Sequence, residues 1–237
     1  MTESSSSNTD HKKVRIITKI LTSVIKLWLQ SQLTQVSHLE VQIKASDRQL
    51  LSGRIPGVFI AASGAVYQGL WITQVELEAK NIKLNVASIL KGQPLQLLEI
   101  VPVVGKLILA PEDLNNSLSS PLLLAAINDL LVTILAESSL NSKPIIWQKI
   151  TLDNEILILS GLPRSDSDGS CFDIYLGLEL LSGQKLQLTS VQVKTDQEVL
   201  LERNSPYIIN LGTDVDIQEI SLISEQLTCY GRINVNP

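Results

Sequence analysis

The residues whose types and spacing could do chemistry concentrate in Ala45–Leu70, "ASDRQLLSGRIPGVFIAASGAVYQGL". Arg48 and Arg54 accompany a Gly53-x-x-x-Gly57 spacing around Pro56, and glycines beside cations are what a backbone cradle for phosphate requires. The chain nevertheless contains neither G-x-G-x-x-G nor the Walker lysine motif, so no nucleotide loop is assembled. The two glycines therefore serve the turn leading into a strand from Val58. Arg48 and Arg54 remain as candidates for binding a phosphate, with Asp47 or Glu76 as alternative ion partners.

Other chemistries fail on their partners. Serine hydrolysis needs a base and an orienting group beside the nucleophile. There is no G-x-S-x-G elbow, and the only histidines are His11, in a polar tail, and His38, at a junction. "SDSDG" (Ser165–Gly169) resembles the opening of a calcium loop. Cys171 stands where that loop needs glycine and Gly177 where it needs glutamate, so a hairpin tip is the better reading. Cys171 and Cys229 belong to no C-x-x-C pair and read as two buried free thiols, with a disulfide as the alternative. A zinc site would have to gather both cysteines and both histidines from distant places, so no metal is expected. The carboxylate pairs Asp166/Asp168 and Asp214/Asp216 sit in polar surroundings that give no reason for a raised pKa. The reading is a protein without catalysis and without a cofactor.

Composition points elsewhere. The 237 residues are 44% hydrophobic yet only 4% aromatic and 18% charged. That much aliphatic surface either makes an unusually aliphatic core or faces an apolar cavity. A net charge of −5 argues against nucleic acid. The charge is uneven, however: between His11 and Leu39 there is no Asp or Glu, while Lys12, Lys13, Arg15, Lys19 and Lys26 fall there. No run approaches the ~18 apolar residues of a membrane span. No cleavable signal follows the basic start. The expected location is cytoplasmic, open to peripheral attachment at an anionic membrane face through Lys12, Lys13, Arg15 and Lys19.

The elements that must position these groups follow from periodicity. Residues 1–11 are a Ser-rich tail expected to be disordered, and 12–237 read as one α+β domain. Lys12–Val36 is helical in pattern, with Ile16, Ile17, Ile20, Leu21, Val24, Ile25, Leu27 and Trp28 on an arc wider than a surface helix needs. It should lie in a groove or on a membrane. "LEVQIKA" alternates as a strand, "DRQLL" is one helical turn, and Val58–Val86 makes two long strands broken near Gly64 or Gly69. "ASILKG" is a short helical turn, and the strand after it is broken by Pro102 and Gly105. Pro111, with Glu112 and Asp113, opens a second helix to about Ala136 that Pro121 should kink or split. An antiparallel meander of six strands completes the chain. Leu114, Leu118, Leu122, Ile127, Leu130 and Ile134 are the candidate groove face of that helix, with ordinary core as the alternative, and Val58, Ile60, Val66 and Leu70 of the long strands face the core or the groove.

The stretches "WLQSQL", "LEVQIKASDRQLLSGRIPGVFIAASGAVYQGLWITQVELEAKNI" and "EDLNNSLSSPLL" (Glu112–Leu123) together resemble the bacterial LmeA-like phospholipid-binding family, from about Lys26 to Val235. Arg48–Gly57, Ala65–Leu70 and Glu112–Leu123 carry most of the likeness. The resemblance implies a tubular, TULIP-like fold, a long curved antiparallel sheet wrapped around one or two long apolar helices. It also implies a groove for the acyl chains of a phospholipid or glycolipid. Secreted members of such a family carry an N-terminal signal and serve envelope lipid maintenance. This chain departs from them in its Ser-rich start.

Overall fold

The computed structural model describes residues 21–85, 96–134, 145–164, 171–195, 198–203 and 206–237. Its elements are mostly antiparallel strands, with few helices. A helix covers residues 21–32 and a single helical turn Asp47–Leu51. Further on come a short helix Pro111–Asn116, a 3-10 turn Ser117–Ser119 and a helix Pro121–Ile134. The expected turn at "ASILKG" lies outside the described residues, as do Lys12, Lys13, Arg15 and Lys19.

One sheet has the order β1-β2-β3-β4-β12-β11. Its strands are β1 (His38–Lys44), β2 (Arg54–Tyr67), β3 (Leu70–Lys83), β4 (Val101–Leu109), β11 (Val215–Ile223) and β12 (Gln226–Val235). The other runs β10-β8-β7-β6-β5, with β9 also on β8. It is built from β5 (Ile145–Asp153), β6 (Ile156–Pro163), β7 (Phe172–Ser182), β8 (Lys185–Thr195), β9 (Val199–Arg203) and β10 (Tyr207–Asn210). Two sheets therefore stand in place of the single long curved sheet that the resemblance implies. Twelve strands exceed what one open twisted sheet carries before splitting. The terminal meander is likewise divided: β5 to β8 follow in order, whereas β11 and β12 return to the first sheet beside β4.

The β2–β3 hairpin turns at Gln68 (φ 48°) and Gly69 (φ 80°), both left-handed, as a two-residue turn matched to strand twist requires. Gly64 stays inside β2, so the break falls at Gly69 alone. β4 runs unbroken through Pro102 and Gly105. Pro102 lies beyond the last β3 pairing, Ala79 with Val103, where a missing N–H is tolerated.

The helical segment splits at Ser117–Ser120, as Pro121 demands, and no single long helix forms. Instead the break is clamped to the hairpin. Trp71 N–H donates to Ser117 Oγ (2.8 Å), Ser117 Oγ–H to the Asp113 carbonyl (2.6 Å), and Ser120 Oγ–H to the Gln68 carbonyl (3.1 Å). Thr73 Oγ1–H donates to the Asp113 carboxylate and accepts from Ala110 N–H. Both serines are wholly buried, so these bonds satisfy groups that would otherwise be costly. Asn115 ties the same segment to the second sheet: its Oδ1 accepts from Ile150 N–H (2.9 Å) and its Nδ2 donates to the Ile150 carbonyl (2.8 Å).

Three apolar clusters result. The largest lies between the sheets and combines Leu109 and Leu222 of the first sheet, Leu114, Ile127, Leu131 and Ile134 of the helices, and the inner face of β5–β8. Trp147 and Phe172 meet edge to face within it at 6.1 Å. A second cluster (Leu50, Ile55, Val58, Ile82, Leu84, Val101) and a third (Ile25, Leu39, Val41, Ala62, Ala65) lie on the first sheet under the 21–32 helix and the Asp47 turn.

Candidate functional site

The second cluster is not fully packed. A cavity of about 700 Å³ opens against it, lined by β2, β3 and β4, the 21–32 helix, Leu97 and the end of β12. Seventeen residues line it and only Gln96 and Asn236 are polar. Its floor is a row across three strands: Val58 pairs with Ala79 and Ala79 with Val103.

How these strands aim so many side chains one way is a local matter. Leu77 and Ala79 line the cavity, but so do Ile82 and Leu84. Strict alternation would put positions 77 and 82 on opposite faces. The change of phase brackets Asn81, whose φ is 56°. Asn tolerates that left-handed conformation better than other side chains with a Cβ. On β2 the same phase change falls between Ile55 and Val58, at Pro56–Gly57, so the "GRIPG" stretch is where the alternation resets.

That reset also builds a polar pocket. A second cavity, of about 590 Å³, is lined by Arg48 and Gln49 of the helical turn, by Ser52 that caps it, by Arg54 and Pro56, and by Asn81 and Lys83. Ile55 and Ile82 belong to the walls of both cavities, so the two adjoin. The turn is held by Ser46 N–H donating to Gln49 Oε1 (2.9 Å). Arg54 and Lys83 are cross-strand partners, and like charges directly opposite repel. Lys83 is paired with Glu99, whereas among the described residues neither Arg48 nor Arg54 has an ion partner. A site with two uncompensated guanidiniums favours an anion.

The sequence-derived candidates thus divide. Val58 and Ile60 line the apolar cavity, and Arg48 and Arg54 the pocket beside it. Val66 is buried beneath the 33–36 segment, its N–H donating to the Gln35 carbonyl (2.8 Å) and its carbonyl accepting from Thr34 N–H (2.9 Å), and Leu70 sits half-buried at the hairpin turn. Leu114, Ile127 and Ile134 are buried in the inter-sheet core, with Leu118 and Leu130 packed against it and Leu122 exposed. Sequence reasoning did not find Leu77, Ala79, Ile82, Val103, Ile233 or Val235. The alternating "VELEAKNIKL" holds a signal for them, once Asn81 is read as a phase break.

No disulfide joins Cys171 to Cys229; both are half-buried, and burial pushes the Cys229 thiol up from its ordinary range. Among the described residues no three His, Cys, Asp or Glu side chains converge as a metal site would require. No described helix is long and apolar enough to cross a membrane.

A family model described as LmeA-like phospholipid-binding matches residues 13–232. No curated protein and no solved structure matches the chain.

Proposed function

The chain belongs to the LmeA-like phospholipid-binding family, and from that premise we propose that it holds a phospholipid or related lipid non-covalently, with no reaction of its own. The acyl chains occupy the apolar cavity and the phosphate of the headgroup meets Arg48 and Arg54. The observation that carries this reading is the adjacency of the two spaces across Ile55 and Ile82, one almost wholly aliphatic and one basic. At about 700 Å³ the cavity falls in the ~300–1,000 Å³ range of small-molecule sites. Each buried CH₂ is worth about 0.8 kcal/mol, so a sixteen-carbon chain gains on the order of 12 kcal/mol before ordering losses. Nothing beyond apolar walls is needed for that gain, which fits a site without catalytic groups. The antiparallel strands beside an apolar space are also compatible with a tubular, TULIP-like classification, and a carrier of this kind can serve transfer between membranes.

The test is to purify the protein without detergent, extract it with organic solvent, and identify retained lipid by mass spectrometry against a soluble control of similar size. One lipid class near equimolar amount is the expected result. The double variant Arg48→Ala/Arg54→Ala should keep its fold and lose preference for anionic over zwitterionic lipid. An extract that stays empty after incubation with mixed liposomes overturns the proposal.

A further inference from the structure

The mouth of the apolar cavity carries a surface that water does not favour. Trp28, Ile233 and Val235 line the cavity and yet are 50%, 44% and 37% exposed. Leu98 and Ile100, between the lining residues Leu97 and Val101, are each 57% exposed. On the helix beside Trp28, Leu27 is 65% exposed. Scattered exposed apolar residues are ordinary, but several gathered around one opening mark an interaction surface.

Charge selects the partner. The 21–32 helix bears a single charged residue, Lys26, which is exposed, and the sequence immediately before it adds Lys12, Lys13, Arg15 and Lys19 with no acidic residue. The rest of the chain carries all 24 acidic residues except Glu3 and Asp10, so the sequence that leads into the helix bordering the mouth is basic while the remainder is acidic. A Trp beside exposed aliphatics, on a helix whose one charge is a lysine, is the pattern of an element that lies in an anionic bilayer interface, and the acidic Glu99 between Leu98 and Ile100 is offset by its ion pair with Lys83. A soluble anion alone would leave these apolar side chains in water, whereas a bilayer interface both covers them and meets the positive charge.

We infer that the protein docks mouth-first on an anionic phospholipid bilayer, with Leu27, Trp28, Leu98 and Ile100 entering the headgroup–acyl boundary so that the cavity opens onto the lipid. This rests on the cavity being a lipid site. It adds the face by which lipid enters and leaves.

The test uses flotation with vesicles of phosphatidylcholine containing about 30% phosphatidylglycerol. The triple variant Leu27→Ser/Leu98→Ser/Ile100→Ser changes exposed residues that do not line the cavity. Docking predicts that wild-type protein floats and that the variant partitions about tenfold less or lower. Binding of a short-chain phosphatidylglycerol, presented as monomers below its micellar concentration, should be unchanged. Equal flotation of variant and wild type overturns the docking face. So does a wild type that binds the monomeric lipid but does not float, and that result leaves the cavity reading standing. Wild type that floats while failing to bind monomeric lipid retains the docking surface and removes the cavity reading on which its role depends.

Discussion

Ala79 offers a direct test of the cavity as the acyl site. It lies mid-floor between Val58 and Val103, its partners on either side. In Ala79→Asp the carboxylate stands in the centre of that floor. While the cavity is open to solvent the carboxylate can stay hydrated. An acyl chain laid over it removes that water and supplies no hydrogen bond, which costs at least roughly 3 kcal/mol for a charged group without a partner. At 1.4 kcal/mol per decade, affinity falls roughly 150-fold.

The loss should depend on pH. Desolvation favours the neutral carboxyl, so the lipid-bound pKa is raised above the ordinary carboxylate value of about 4. Full loss holds above the raised value, and binding recovers as pH falls through it. Ala79→Asn should lose affinity without that recovery, and Ala79→Val should lose little. Competition against a fluorescent lysophospholipid between pH 4 and 8 measures this, with thermal melting to confirm the fold. An Ala79→Asp protein that melts like wild type and binds within threefold of it refutes the cavity as the acyl site.

Three further outcomes follow from the packing. Gly69→Ala should cost about 1–3 kcal/mol in urea denaturation, because φ is 80° and the new Cβ would lie 3.3 Å from Ser120 Cα. Asn115→Ala should cost about 2–4 kcal/mol by the same measurement, since both backbone groups of Ile150 lose their partner; a loss below about 0.5 kcal/mol contradicts the clamp. Cys229, its thiol raised by burial, should react with iodoacetamide only at higher pH than a free thiol, as read by mass spectrometry of the modified peptide. A rate profile matching a free thiol would show that the burial is not sustained.

Much of this architecture was legible in the sequence because it follows from local chemistry. The strand His38–Lys44, the helical turn Asp47–Leu51 and the proline-led start at Pro111 stand where alternation and capping put them. β9 and β10 were missed because Val199–Arg203 and Tyr207–Asn210 are short strands sharing one edge of β8, with no sustained alternation to reveal them. The return of β11 and β12 to the first sheet was not legible either, since strand order is a long-range choice that sequence period does not encode. The family-like segments Ala65–Leu70 and Glu112–Leu123 turn out to face each other as the clamp between the hairpin and the split helix. Their shared specificity is that of a joint, while the cavity lies at the other end of β2 and β3.

The separation of joint and cavity has an energetic reason. Voids left in a packed core cost about 24 cal/mol per Å³, so 700 Å³ held empty and dry would cost roughly 17 kcal/mol. That exceeds the 5–15 kcal/mol by which a typical domain is stable. The space must therefore be occupied or open, and walls with two polar residues in seventeen give water few partners. An apolar occupant removes both penalties at once. The fold can carry such a space because stability is supplied elsewhere: Ile174, Leu176, Leu188, Val191 and Val193 between the sheets are wholly buried, and Asn115, Ser117 and Ser120 bind that core to the hairpin. Filling or emptying the cavity then perturbs one end of three strands and leaves the packed core between the sheets intact, which is the condition a protein must meet to take up a lipid and release it again without unfolding.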